Sequence, residues 1–118
     1  MPEPRTLVLA FLLTAAIEAA VLFFLARQNG KALIASLVLN AMTNPAANLL
    51  FARIAPSGVW IWLVVLAIET MVFAIEAAAY ALLFRDPPAA VRWSLLSNAA
   101  SFVLGSAILP LLTGCILR

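Results

Sequence analysis

Four apolar runs fill almost the whole chain, over residues of about 6–26, 32–52, 59–84 and 89–117. Each is long enough to cross about 30 Å of hydrocarbon as a helix. Short polar breaks separate them. Of 118 residues, 66% are hydrophobic and 10% charged, where a soluble domain is usually about a quarter charged. Too few polar side chains remain to cover a globule in water, so the expected solvent of the outer surface is lipid. The chain is therefore expected to be all-α: a polytopic membrane protein with four transmembrane helices in one domain, 1–118, without a linker. The first run does not read as a signal peptide. It is longer than a signal core, carries Glu18 at its centre, and precedes no soluble domain.

The chain also repeats itself. Ala16-Ile17-Glu18-Ala19-Ala20 recurs 58 residues later as Ala74-Ile75-Glu76-Ala77-Ala78. Arg27 falls on Arg85, Ser36-Leu37 on Ser94-Leu95, and Asn40-Ala41 on Asn98-Ala99; 12 of 26 paired positions agree over 16–41 and 74–99. This predicts two tandem parallel-repeat helical hairpins, about 6–53 and 59–117, related by an axis along the membrane normal. Both termini then lie on one side.

Arg27-Gln28-Asn29-Gly30-Lys31 and Arg85-Asp86-Pro87-Pro88 read as the hairpin turns, and Ala55-Pro56-Ser57-Gly58 as the link. Pro2 and Pro4 read as a non-helical lead-in, and Pro45 and Pro110 as kink sites inside spans. Trp60 and Trp62 suit the membrane interface. Arg27, Lys31, Arg85 and Arg92 lie at the turn side; Arg5, Arg53, Arg118 and the amino terminus lie at the other. Such a balance sets no orientation. The net charge of +2 comes from these anchors at span ends, not from a nucleic-acid patch.

The chemistry lies in polar residues at depth. Glu18 and Asn40 are each 11 residues from position 29, and Glu76 and Asn98 each 11 from position 87. At 1.5 Å per residue this puts each carboxyl level with a carboxamide, about 16 Å from the turn. Asn40, Asn44 and Asn48 share one helical face, and Glu69 shares a face with Glu76. Thr43 and Ser101, repeat partners, add hydroxyls. No lysine or arginine lies at the depth of Glu18, Glu69 and Glu76. A buried carboxylate without a partner takes a proton or finds a cation. The candidate cation- or ligand-binding set is thus Glu18, Glu69, Glu76, Asn40, Asn44, Asn48 and Asn98. The same side chains also suit interhelical packing, where each contact contributes about 0.6–2 kcal/mol. Both roles are open. Tyr80 and Phe73 read as packing, and Cys115, the lone cysteine, as inert.

Catalytic signatures are missing. The chain has no histidine, no Gly-rich phosphate loop and no Cys/His metal spacing. No enzyme activity, cofactor, metal or nucleic-acid partner is expected. Asn44-Pro45-Ala46 spells an aquaporin signature, but its repeat partners are Phe102 and Val103 in place of a second copy.

The stretch Asn40-Ala41-Met42-Thr43-Asn44-Pro45-Ala46-Ala47-Asn48, the double-glutamate helix from Glu69 to Tyr80, and the serine- and asparagine-rich segment from Ser94 to Gly105 together resemble small four-span bacterial membrane proteins of unassigned function. The resemblance implies residence in the bacterial inner membrane and carries no activity. The residues themselves point to transport or cation and proton handling by a homo-oligomer or a member of a larger complex. The alternative is a non-catalytic accessory or assembly subunit of a larger membrane complex.

Overall fold

The structure is a computed structural model that describes residues 4–27, 29–54 and 60–116. Residues 1–3, Gln28, residues 55–59, Leu117 and Arg118, on which parts of the lead-in, first turn, link and final anchor fall, lie outside the described residues. Four helices make up the fold: α1 (Pro4–Leu25), α2 (Gly30–Ile54), α3 (Trp60–Phe84) and α4 (Pro87–Ile116). Each is long and apolar enough to cross a membrane.

Three prolines behave differently from expectation. Pro4 opens α1 as its first residue instead of preceding it, and Pro87 and Pro88 open α4 instead of forming a turn. The first helical turn has no use for the missing N–H, and proline's fixed φ suits it. Asp86 caps α4 by accepting a hydrogen bond from the Ala89 amide at 3.3 Å, and Asn29 caps α2 through the Lys31 amide at 2.9 Å. Pro45 and Pro110 stay inside continuous helices. At the other helix ends, Arg27 and Arg85, 58 residues apart, both adopt the left-handed conformation, with φ of 56° and 54°.

The helices form a ring. α4 packs closely on α1 and α3, α2 packs on α1 and less extensively on α3, and the backbones of the diagonal pairs do not approach closely among the described residues. The start of α2 touches the end of α3: Lys31 Nζ donates to the Leu83 carbonyl at 3.1 Å and sits 5.1 Å from the Phe84 ring centre. That contact fixes α2 and α3 as antiparallel. The turn end is tightly filled. Leu22, Ala32, Tyr80 and Ala90 are completely buried there, and Trp93 meets Tyr80 and Phe84 edge-on at 6.5 and 5.2 Å. Leu22 and Ala32 lie 58 residues from Tyr80 and Ala90 respectively.

The outer surface is apolar along its length. Val8, Leu12, Leu49, Trp62, Leu66, Val103 and Leu111 are all more than half exposed. Water would penalise such a surface, whereas hydrocarbon wets it. The longest dimension, 41 Å, is close to a bilayer with its headgroups, about 40–45 Å. These features are consistent with an integral membrane protein.

Candidate functional site

Polar side chains occupy the interior one helical turn below the sealed end. Glu18 stands four residues before Leu22, Asn40 four after Ser36, Glu76 four before Tyr80 and Asn98 four after Ser94. Leu22, Ser36, Tyr80 and Ser94 are each wholly buried, so they form a closed layer. On the other side of the polar layer the four helices part. A cavity of about 200 Å³ opens between them, lined by Glu18, Asn40, Thr43, Asn44, Glu69, Asn98 and Ser101, and further out by Ala10, Gly105 and Leu109.

The two matched glutamates are held by matched hydroxyls of the opposite hairpin. Ser101 Oγ donates to Glu18 Oε1 at 2.6 Å, and Thr43 Oγ1 contacts Glu76 Oε1 at 3.1 Å. Neither carboxyl has a cationic hydrogen-bond partner among the described residues. The remaining oxygens differ. Glu76 Oε2 accepts from Asn98 Nδ2 at 2.7 Å. Glu18 Oε2 is buried and has no hydrogen-bond partner among the described residues. The corresponding amide, Asn40, donates to the Ser36 carbonyl at 2.9 Å, and its Oδ1 accepts from Asn44 Nδ2 at 3.2 Å. Asn44 has no equivalent in the second hairpin, where Phe102 stands. The first hairpin thus joins two of its amides and leaves one buried carboxyl oxygen of Glu18 without a partner among the described residues.

Counting protons sharpens the picture. Ser101 has one hydroxyl proton but lies within reach of two acceptors, Glu18 Oε1 and the Asn98 carbonyl at 3.0 Å. Thr43 likewise lies near Glu76 Oε1 and the Leu39 carbonyl at 2.9 Å. One hydroxyl proton serves one acceptor at a time. Both contacts are filled together only when the glutamate brings a proton of its own. With the carboxylate ionised, the hydroxyl turns to it and the backbone carbonyl loses that bond. Each site therefore has two hydrogen-bonding arrangements that differ by one proton.

The expected residues separate by position. Glu18, Asn40, Asn44, Glu69 and Asn98 share the cavity. Glu76 does not line it, although it is level with Glu18 and shares a helical face with Glu69; Thr43 and Asn98 hold its two oxygens. Asn48 is half-buried and also lies outside the lining. Each carboxyl was expected level with a carboxamide; the Glu76–Asn98 bond joins one such pair directly, whereas Asn40 stands beside Glu18 without a hydrogen bond within 3.5 Å. Glu69 is half-buried, and nothing among the described residues donates a hydrogen bond to it. Ser36, Ser94 and Ser97 are completely buried but absent from the expected set. Ser94 Oγ ties α4 to the Phe73 carbonyl of α3 at 2.8 Å. The signal for Ser36 and Ser94 was their match across the repeat; small hydroxyls attract less notice than charges.

The lining is oxygen-rich: two carboxyls, three carboxamides and the four hydroxyl residues Thr14, Thr43, Ser101 and Ser106 surround one space. Such a set accepts a proton, a hard cation or a cationic group. No group of three or more His, Cys, Asp or Glu side chains able to hold a metal ion occurs among the described residues. Fold and site together describe an all-helical protein of four helices able to cross a membrane, with acids in its interior. Compared with protein-family models, curated proteins and solved structures, the chain matches none.

Proposed function

We propose that this chain is a small integral membrane protein of transport, which takes a cation or a proton at Glu18 and Glu69 from the cavity between its four helices. Asn40, Asn44 and Asn98 supply neutral oxygens around the charge. One observation carries the reading: the buried Oε2 of Glu18 has no partner among the described residues, and Glu18 lines an open cavity. Mid-membrane acids are costly and usually mark a path or site. Glu76, with both oxygens engaged, braces the second hairpin. Matches at 58 residues in buried core, turn arginines and carboxyl–hydroxyl contacts support two tandem hairpins as the architecture. The sealed turn end and a space of about 200 Å³ suit a carrier better than an open pore. Residence in the bacterial inner membrane, and assembly as a homo-oligomer, belong to this proposal.

In proteoliposomes, Glu18→Gln is expected to abolish cation-coupled flux. Infrared difference spectra should show a protonated carboxyl band at Glu18 that disappears on adding cation. Normal flux through Glu18→Gln would remove the assignment.

An accessory subunit of a larger membrane complex is the second reading, and one feature favours it. The α2–α3 seam is the least extensive of the four. It leaves an apolar groove of about 260 Å³ lined by Met42, Ala46, Leu50, Ile68, Met71 and Ile75, where side chains of a neighbouring helix fit. Copurification in mild detergent with a defined larger partner, lost on Met71→Asp, supports that role.

A further inference from the structure

The acid-lined cavity is not walled off from the outer surface on every side. Between α3 and α4 lies an outward groove of about 530 Å³, lined by Trp62, Leu66, Thr70, Phe73, Leu95 and Ala99, among others. Its lining is mostly apolar, and Trp62 and Leu66 are 70% and 64% exposed. Three residues line both this groove and the interior cavity: Glu69, Asn98 and Phe102. The two spaces therefore share one partition, built from a carboxyl, an amide and a phenyl ring. Phe102 is itself 45% exposed. Glu69 stands in the partition without a hydrogen-bond donor among the described residues, and Glu18, one of whose buried oxygens has no partner among them, lines the cavity beyond it.

From this juxtaposition we propose that the α3–α4 groove is a lateral portal for lipophilic organic cations, which enter from the bilayer and pass Glu69 to reach Glu18. The inference rests on the cation-handling reading and names its substrate class and route. Its chemistry is complementary. An apolar, partly aromatic trough of this size receives the hydrocarbon or aryl body of a drug-sized molecule. Trp62, Phe73 and Phe102 offer ring faces that favour a delocalised positive charge. Glu69 meets that charge where the trough ends, in a setting of low dielectric where a carboxylate attracts strongly. A hydrophilic ion gains nothing from the trough. A neutral lipophile gains nothing from Glu69.

Binding to the protein in lipid nanodiscs tests the portal, with tetraphenylphosphonium as probe and tetramethylammonium as the small hydrophilic comparison. Tetraphenylphosphonium is expected to bind more tightly. Its Kd is expected to rise at least about tenfold in Glu69→Gln. Ala99→Trp fills the trough from an exposed position without entering the bundle interior. It is expected to slow tetraphenylphosphonium binding at least about tenfold and leave tetramethylammonium unchanged. Ile34→Trp, on the outer face of α2, serves as the control for an added indole. Glu18-dependent binding of tetramethylammonium, with no preference for tetraphenylphosphonium and no effect of Ala99→Trp, overturns the portal and leaves the cation site standing. Loss of neither ligand in Glu18→Gln overturns the site itself, and the portal with it.

Discussion

Two glutamates of the same sequence context have different bonding, and that difference separates stability from function. Glu76 accepts from two side chains. Methionine there removes both acceptors and leaves one Asn98 amide proton buried and unpaired. Glu76→Met is expected to destabilise by about 1–3 kcal/mol. Glu18 uses one oxygen only. Glutamine keeps the Ser101 contact and puts its amide where no existing bond is lost, so Glu18→Gln is expected to change stability by less than about 1 kcal/mol while flux is lost. Equilibrium unfolding in mixed detergent measures both. Equal losses from the two substitutions would mean that Glu18 is as structurally committed as Glu76. At this scale the sequence was partly legible: it placed Glu18, Glu76, Asn40 and Asn98 at one depth. It did not distinguish the two acids, because side-chain rotation is settled by packing, and Asn40 and Asn98, which both bond the carbonyl four residues back, differ in whether they also reach the carboxyl.

At the scale of the element, the helices are held by their ends and by short stitches between them. Both hairpins reverse at an arginine in the left-handed region, where a residue with a Cβ costs about 1–2 kcal/mol. Arg85→Gly removes that strain but adds freedom to the unfolded chain, about 0.5–1 kcal/mol. The net expectation is unchanged to slightly higher stability. Arg85→Val, β-branched at the same φ, is expected to destabilise by at least about 1 kcal/mol. Lys31 joins the hairpins by capping the Leu83 carbonyl and lying over Phe84, and Lys31→Met is expected to cost about 0.5–1 kcal/mol. Thermal unfolding in one detergent ranks the three; a valine variant as stable as the glycine variant would refute the strain argument. Apolar length located every helix to within a few residues. The prolines were misjudged at Pro4 and Pro87, since a proline that breaks a helix interior is welcome at its first turn, and composition does not say which applies.

For the whole molecule, the ring has a sealed end and an open end. The turns carry Arg27 and Arg85; Arg53 and Cys115 lie at the other. In oriented membranes, a cysteine replacing Asn29 and one replacing Asp86 are expected to react with an impermeant thiol reagent from the same face, and Cys115 from the opposite face. Labelling of all three from one face would contradict four spans. The asymmetry arises because α4 embraces α1 more fully than α2 embraces α3, although the 58-residue matches alone would make the two seams alike. Departures from the repeat, such as Asn44 against Phe102 and Leu22 against Tyr80, decide which half fills and which stays open.

The sequence by itself determined the apolar character of the outer surface, the number of helices and the level of the acids along them. Those follow from apolar length and from counting along a fixed rise per residue, which need no partner. Only the tertiary structure decided which acid keeps a free oxygen, where the ring opens, and that Glu69 stands between the interior and the outer groove. Those depend on how four helices rotate and approach one another, and close packing sets that through all their side chains at once.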